Sequence, residues 1–170
     1  RLAPHVDLLG VASIDEALAL RKVGIRTPIL LAEGVFEATE LLQAATAGFH
    51  VVFHQAQQLE WLEKLHGPVK VEAWLKVNTG MGRLGFTLEE APGAYRRLRQ
   101  SYQTAPQVRL MSHFACADEV DHPLNALQWE RFQALSGECP GPRSLCNSAA
   151  VFNFPQCHYE FIRPGLALYG

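Results

Sequence analysis

Short apolar runs and amphipathic helical stretches take turns along the whole chain, and this alternation leaves few folds open. Residues 8–12, 28–32, 50–53, 71–77, 108–114, 144–146 and 161–169 each read as a buried strand, nearly continuous in apolar residues. Helix signals lie between them. Ser13 followed by Glu16 is a capping box: the hydroxyl can take the Glu16 N–H while the carboxylate reaches back to the Ser13 N–H. It opens a helix whose Ala17, Leu18 and Leu20 are expected to face inward, and Gly24 can end that helix in a left-handed cap. Residues 36–47, 55–65, 88–102 and 123–135 repeat the theme, the last with Leu124, Leu127, Arg131, Phe132 and Leu135 at helical spacing.

Strictly alternating β and α segments imply an α/β fold with a parallel sheet covered on its outer side by helices. Such a sheet is either open and doubly wound or closed into a barrel. Polar residues fit for chemistry fall at the ends of several different strands, at Asn78, His113, Asn147 and Arg163. A barrel gathers every βα loop on one face, whereas an open sheet binds ligands at a single switch point, so the pattern favours a (β/α)8 barrel of the TIM type. About seven strands is one short of eight. The chain starts almost directly with a strand and stops at Tyr169-Gly170 without a closing helix, so residues 1–170 are expected to be a partial barrel domain.

Composition narrows the partners. With 170 residues, 48% of them hydrophobic, the chain can bury a sizeable core, and a net charge of −2 without a basic stripe offers no footprint for nucleic acid or an anionic membrane. Arg96, Arg97 and Arg99 read as a solvated helix face. Apolar runs such as 28–32 are too short to span a bilayer, which suggests a cytoplasmic protein. Cys116, Cys139, Cys146 and Cys157 lack CxxC spacing and read as free thiols. His113, Cys116, Asp118 and His122 match no structural zinc pattern, so no metal is expected.

Gly80, Gly82 and Gly85 spell GxGxxG, which in a dinucleotide-binding fold needs strand, tight turn and helix in immediate succession. The next helix is better started by Thr87 with Glu90 as a second capping box, which leaves Gly85 outside it. The following strand ends in Ser112-His113 rather than in the acid that would hold a ribose. The dinucleotide reading therefore fails on context.

Two late segments suit an anion. Asn147-Ser148-Ala149-Ala150 follows one strand and Gly165-Leu166-Ala167 interrupts the last, where barrels commonly hold a phosphate. The same residues also fit a serine cap and a strand glycine at a tight packing point. Arg163 lies in an apolar strand and needs a partner. Since arginine only donates, a ligand nitrogen facing it would stay unprotonated. His113 could support Arg163 or stack on a planar ligand, although taken alone it reads first as a satisfied core histidine. Lys76 and Arg83, if both point to the barrel mouth, call for something anionic between them; each could instead pair with an acid elsewhere.

Four ordered blocks resemble the alanine racemase family of bacteria: residues 76–85, beginning Lys76-Val77-Asn78-Thr79-Gly80; Ser112-His113-Phe114-Ala115; Asn147-Ser148-Ala149-Ala150; and Ile162-Arg163-Pro164-Gly165. The resemblance runs from about Val11 to Gly170. It implies a pyridoxal-5'-phosphate-binding barrel and an enzyme that interconverts L- and D-alanine, making D-alanine for peptidoglycan or degrading it. By resemblance, Ser148 and the backbone around Gly165 and Leu166 hold the cofactor phosphate with Asn147 nearby, and Arg163 faces the pyridine nitrogen. His113 lies beside the ring and Arg163. Arg83 reaches the cofactor's phenolic oxygen and the substrate carboxylate, and Lys76 matches a lysine that can be carbamylated.

The resemblance also implies that no catalytic base lies within residues 1–170. The cofactor-bearing lysine belongs to a first strand upstream and the opposing tyrosine to a β domain downstream, contributed by the partner in a homodimer, so this segment alone is expected to be inactive. A broad-specificity amino-acid racemase, a non-catalytic pyridoxal phosphate protein and a phosphosugar barrel enzyme are the competing expectations.

Overall fold

The computed structural model describes residues 2–169; Arg1 and Gly170, and with Gly170 the last residue of the resemblance and of the expected Tyr169-Gly170 continuation, lie outside the described residues. The chain forms two compact units, Arg1–Trp74 with Arg97–Gln107, and Leu75–Arg96 with Val108–Gly170.

In the first unit, β1 (Leu9–Val11), β2 (Ile29–Leu31) and β3 (His50–Phe53) alternate with α1 (Ile14–Lys22), α2 (Ala38–Thr46) and α3 (Ala56–Glu63). The strands pair in parallel, Leu9 opposite Ile29 and Leu30 opposite His50. The α1 capping box forms as expected: Ser13 Oγ accepts from Glu16 N–H, and Glu16 reaches back to the Ser13 N–H. Gly24 follows at φ +87°. Only Ala17 of the three residues expected to face inward is fully buried, Leu18 and Leu20 being half-buried, because Ile14 shares the inner face instead. Ile29, Leu31, Phe49, Phe53, Leu41, Leu59 and Leu62 make the core. Each such side chain contributes about 1.5–3 kcal/mol over exposure.

β4 (Glu72–Lys76) passes from the first unit into the second, and α4 (Ala91–Gln100) passes back from the second into the first. The second unit continues with β5 (Arg109–Met111), α5 (Pro123–Ala134), β6 (Arg143–Ser144) and α6 (Ser148–Asn153). β5 and β6 are parallel, with Leu110 opposite Arg143, and Val77 N–H donates to Met111 O at 2.8 Å. Strand order follows the chain from β1 to β6. A doubly wound sheet would reverse direction partway, so this is barrel connectivity.

Two expectations are corrected. Residues 161–169 do not form a seventh strand: Phe161 makes a single parallel bridge to Ser144, and after Arg163 the chain turns into a 3-10 helix at Leu166–Leu168. Pro164 lacks the N–H a ladder needs, which ends the pairing. On α5, Leu127 faces solvent, and the buried face carries Asn125 and Gln128 beside Phe132.

Candidate functional site

The polar residues beyond the C-terminal ends of β4, β5 and β6 form one group. Asn78 sits two residues after β4, and its Oδ1 accepts the N–H of Gly80 at 3.1 Å and of Gly82 at 2.9 Å, rolling the chain into a loop. The loop closes at its base: Phe86 N–H donates to Lys76 O and Asn78 N–H to Phe86 O. Gly85 permits that closure. Its φ is +121°, and an added Cβ would lie 2.6 Å from Asn78 N and 2.7 Å from Val77 C. The glycines therefore fold the chain back on its own strand. α4 begins only at Ala91, beyond a reciprocal Thr87–Glu90 box with bonds of 3.0 and 3.2 Å. The separation of glycine loop from helix that argued against a dinucleotide site is present in the fold.

This loop carries Arg83, which is exposed, while Lys76 at the end of β4 is buried. Lys76, Asn78, Met81, Arg83 and His113 line a shallow concavity. His113, two residues beyond β5, is half-buried, and its Nδ1 lies 3.1 Å from Arg163 Nη2. A guanidinium can only donate, so Nδ1 accepts and the ring proton resides on Nε2. Burial first, then the charges of Arg163, Arg83 and Lys76, push His113 down to about 4, leaving it neutral at pH 7.

Arg163 finds the partner it needs in neutral acceptors. Nη2 donates to Ser112 O at 2.6 Å and Leu145 O at 3.3 Å as well as to His113, and Nη1 donates to the Ser144 hydroxyl. Burial lowers its pKa to about 10, so it stays a cation at neutral pH. Its own backbone is held by a bond from Arg163 N–H to Cys146 O. Three cations thus surround one neutral imidazole, an arrangement that attracts an anion.

Past β6, it is Asn147 and not Ser148 that caps α6, its Oδ1 accepting from Ala150 N–H at 3.0 Å while Nδ2 donates to Phe114 O. Ser148 Oγ instead accepts from Ala167 N–H at 3.0 Å, joining the two segments expected to hold an anion. Gly165 is not a packing glycine: a Cβ there would meet nothing within 4 Å, and Leu166 beside it is 78% exposed. The backbone at this point lies open to a ligand.

All four cysteines are free, and among the described residues no group of three or more His, Cys, Asp or Glu is placed to hold a metal ion. Residues that sequence reasoning passed over tie the group together. Thr79 Oγ1 meets Ser112 Oγ at 2.8 Å, and the buried Gln128 bonds to Thr79 Oγ1, His113 O and Ala115 N–H. The signal was present: Gln128 stands four residues after Leu124 and four before Phe132, inside the apolar stripe of α5.

Barrel connectivity, a glycine loop folded back on its strand and a cationic cluster at the strand ends define an α/β barrel domain with its polar residues gathered beyond the strand ends. The family described as "Alanine racemase, N-terminal domain" matches residues 1–170, and the chain belongs to it. It is 44% identical over 168 residues to an alanine racemase of Legionella pneumophila (strain Corby), covering 98% of this chain and 46% of that protein. An alanine racemase of Azoarcus sp. (strain BH72) is 44% identical over 169 residues, 99% of this chain and 48% of the other. Among solved structures, the biosynthetic alanine racemase of Pseudomonas aeruginosa superposes with a TM-score of 0.94 at 38% identity, covering 99% of this chain and 47% of that one. The alanine racemase from Acinetobacter baumannii gives 0.89 at 39% identity, over 99% and 48%. The fold is thus an incomplete (β/α)8 barrel, and the chain spans about half the length of the relatives it matches.

Proposed function

We propose that residues 1–170 are the cofactor-binding part of a pyridoxal-5'-phosphate-dependent alanine racemase. The observation that carries this reading is the bonding of Arg163. Its recorded partners take one Nη1 hydrogen and those of Nη2, leaving the Nε–H and the second Nη1–H for a ligand acceptor. A pyridine nitrogen that accepts from this permanent cation stays unprotonated, which suits a reaction returning the proton to Cα rather than moving it elsewhere. The residues also fit the cofactor's phosphate. Ser148 uses a lone pair on Ala167 N–H and keeps its hydroxyl proton to donate, and the open backbone at Gly165 and Leu166 leaves room for the group, with Asn147 fixing Ser148 at the start of α6.

When bound, the cofactor supplies an electron sink that makes the Cα proton of an amino acid removable. Around it, His113 remains neutral and holds Arg163 in place. Arg83 is assigned to the phenolic oxygen of the cofactor and the carboxylate of alanine, and Lys76, below the same loop, sets the charge that Arg83 feels; carbamylation would make it an anion that fixes Arg83. The two bases that take and return the proton lie outside residues 1–170, the second on a partner subunit, so the working unit is a homodimer and this segment alone is inactive. Among the described residues no helix is long and apolar enough to cross a membrane. The test is an alanine racemisation assay on the full-length protein with added pyridoxal phosphate, beside this segment as control. Activity in the full-length protein alone is expected. Racemisation of another amino acid in preference, or cofactor uptake without turnover, would overturn the assignment to alanine or to catalysis respectively.

A further inference from the structure

Gln128 is fully buried in the middle of α5. A primary amide there has to find partners for two N–H donors and an acceptor oxygen, and all three are used. Oε1 accepts from Ala115 N–H at 2.9 Å, and Nε2 donates to His113 O at 2.9 Å and to Thr79 Oγ1 at 3.2 Å. The orientation is unambiguous, since Ala115 N–H can only donate and His113 O can only accept. Donation then runs one way. Thr79 Oγ1 gives its proton to Ser112 Oγ at 2.8 Å, and Ser112 gives its own to Val77 O at 2.8 Å. Through one side chain, the loop after β4 and the end of β5 are joined.

The same helix face supports the loop. Arg131 Nη1 donates to Thr79 O at 3.0 Å, and a Cβ at Gly80 would meet Leu124, Gln128 and Arg131 at 3.0, 3.3 and 3.4 Å. Gly80 therefore lies flat against a stripe of α5, three residues before Arg83. Gln128 is absent from the lining of the concavity and acts on it through Thr79 and His113.

We propose that Gln128 is a positioning residue: it sets the spacing between the Arg83 loop and His113, and so the fit of an anionic ligand between them. The inference rests on the proposed function only in naming alanine as that ligand.

The test uses the full-length protein as wild type, Gln128→Leu, Gln128→Glu and Thr79→Val. The first measurement is hydrogen exchange in cofactor-free protein, followed in peptides covering residues 78–86 and 112–116. Gln128→Leu is expected to speed exchange about tenfold in both segments. Thr79→Val keeps the amide's bonds to His113 and Ala115 and removes from residues 112–116 only a bond to the Ser112 hydroxyl, which still donates to Val77 O, so it loosens residues 78–86 more than residues 112–116. Gln128→Glu keeps the acceptor for Ala115 and regains one donor when its buried carboxyl takes a proton, so its protection recovers as pH falls from about 8 to about 6, which wild type does not show.

In the racemisation assay, Gln128→Leu raises the KM for alanine about tenfold and changes kcat less, because a misplaced Arg83 weakens binding of ground and transition states alike. Unchanged exchange in both segments of a folded Gln128→Leu protein overturns the proposal. So does Thr79→Val loosening the His113 segment as much as the loop. If Gln128→Leu fails to fold, Gln128→Glu and Thr79→Val decide by the same criteria. If the protein does not racemise alanine, the proposed function fails while the exchange measurement still settles Gln128.

Discussion

Acid is expected to destabilise this fold through one histidine. His113 has an ordinary value of 6.5 when the chain is unfolded and about 4 in the folded protein, lowered first by burial and then by Arg163, Arg83 and Lys76. Between these values the unfolded chain binds the proton and the folded one does not, so stability rises with pH through this window and is lost as pH falls through it. At about pH 5 the linkage amounts to roughly 2 kcal/mol relative to neutral pH, and about 3 kcal/mol by pH 4. The second consequence is geometric, because a protonated His113 cannot accept from Arg163 Nη2. The assay is urea unfolding of cofactor-free protein at a series of pH values, for wild type and His113→Asn, whose side-chain oxygen can replace Nδ1 as acceptor. Subtracting the variant removes the contribution of the other histidines. A difference between the two proteins that stays flat from about pH 7 to pH 5, or a His113 ring that titrates near its ordinary value by NMR, would refute the electrostatic account of the site.

Three further outcomes are expected. Gly85→Ala destabilises by more than about 3 kcal/mol, from a disfavoured φ plus backbone collision, whereas Gly82→Ala, at φ +73° with open space around it, costs about 1 kcal/mol; equal losses in urea unfolding would refute the loop geometry. Arg163→Lys cannot bridge Ser112 O, Leu145 O, Ser144 Oγ and His113 Nδ1 with one ammonium group, and a loss of about 2 kcal/mol in the same assay is expected, with no change counting against the assigned bonds. Burial pushes Cys139 and Cys146 up to about 11 and Cys157 up to about 12, while Cys116 is only half-buried. Cys116→Ser therefore abolishes the fast thiol reaction contributed by residues 1–170 with an aromatic disulfide reagent, and fast labelling at the other three, read by peptide mapping, would contradict their burial.

The fold was legible where local chemistry and tertiary structure ask for the same residue. Ser13 with Glu16 and Thr87 with Glu90 bond reciprocally as their spacing implies, and six of the seven apolar runs are strands in chain order. Residues 161–169 misled because apolar content is shared by strands and by segments that close a site. Hydropathy does not register that Pro164 removes a ladder donor or that Leu166, Leu168 and Tyr169 stay exposed. α5 misled for the converse reason: a periodicity count that admits only apolar residues skips a buried amide, although Gln128 occupies the stripe as fully as Phe132 does.

The site divides along the same line. Residues whose chemistry is unusual in a strand end, Lys76, His113 and Arg163, stood out because an ionisable group in an apolar run demands an explanation. What the sequence left open was the form of compensation. A buried guanidinium commonly pairs with an acid, yet the bonds of Arg163 go to two backbone carbonyls, a hydroxyl and a neutral imidazole. The distinction matters for binding. An acid would cancel the guanidinium charge, whereas neutral acceptors hold it in place and leave its field intact, so the charge still acts on any acceptor brought beside it. The polar atoms that make this possible, Ser112 O, Ser144 Oγ and the Thr79–Gln128 link behind them, belong to ordinary residues on four stretches of chain, after β4, after β5, on α5 and on β6, and the folding of the second unit brings them to one guanidinium and one imidazole.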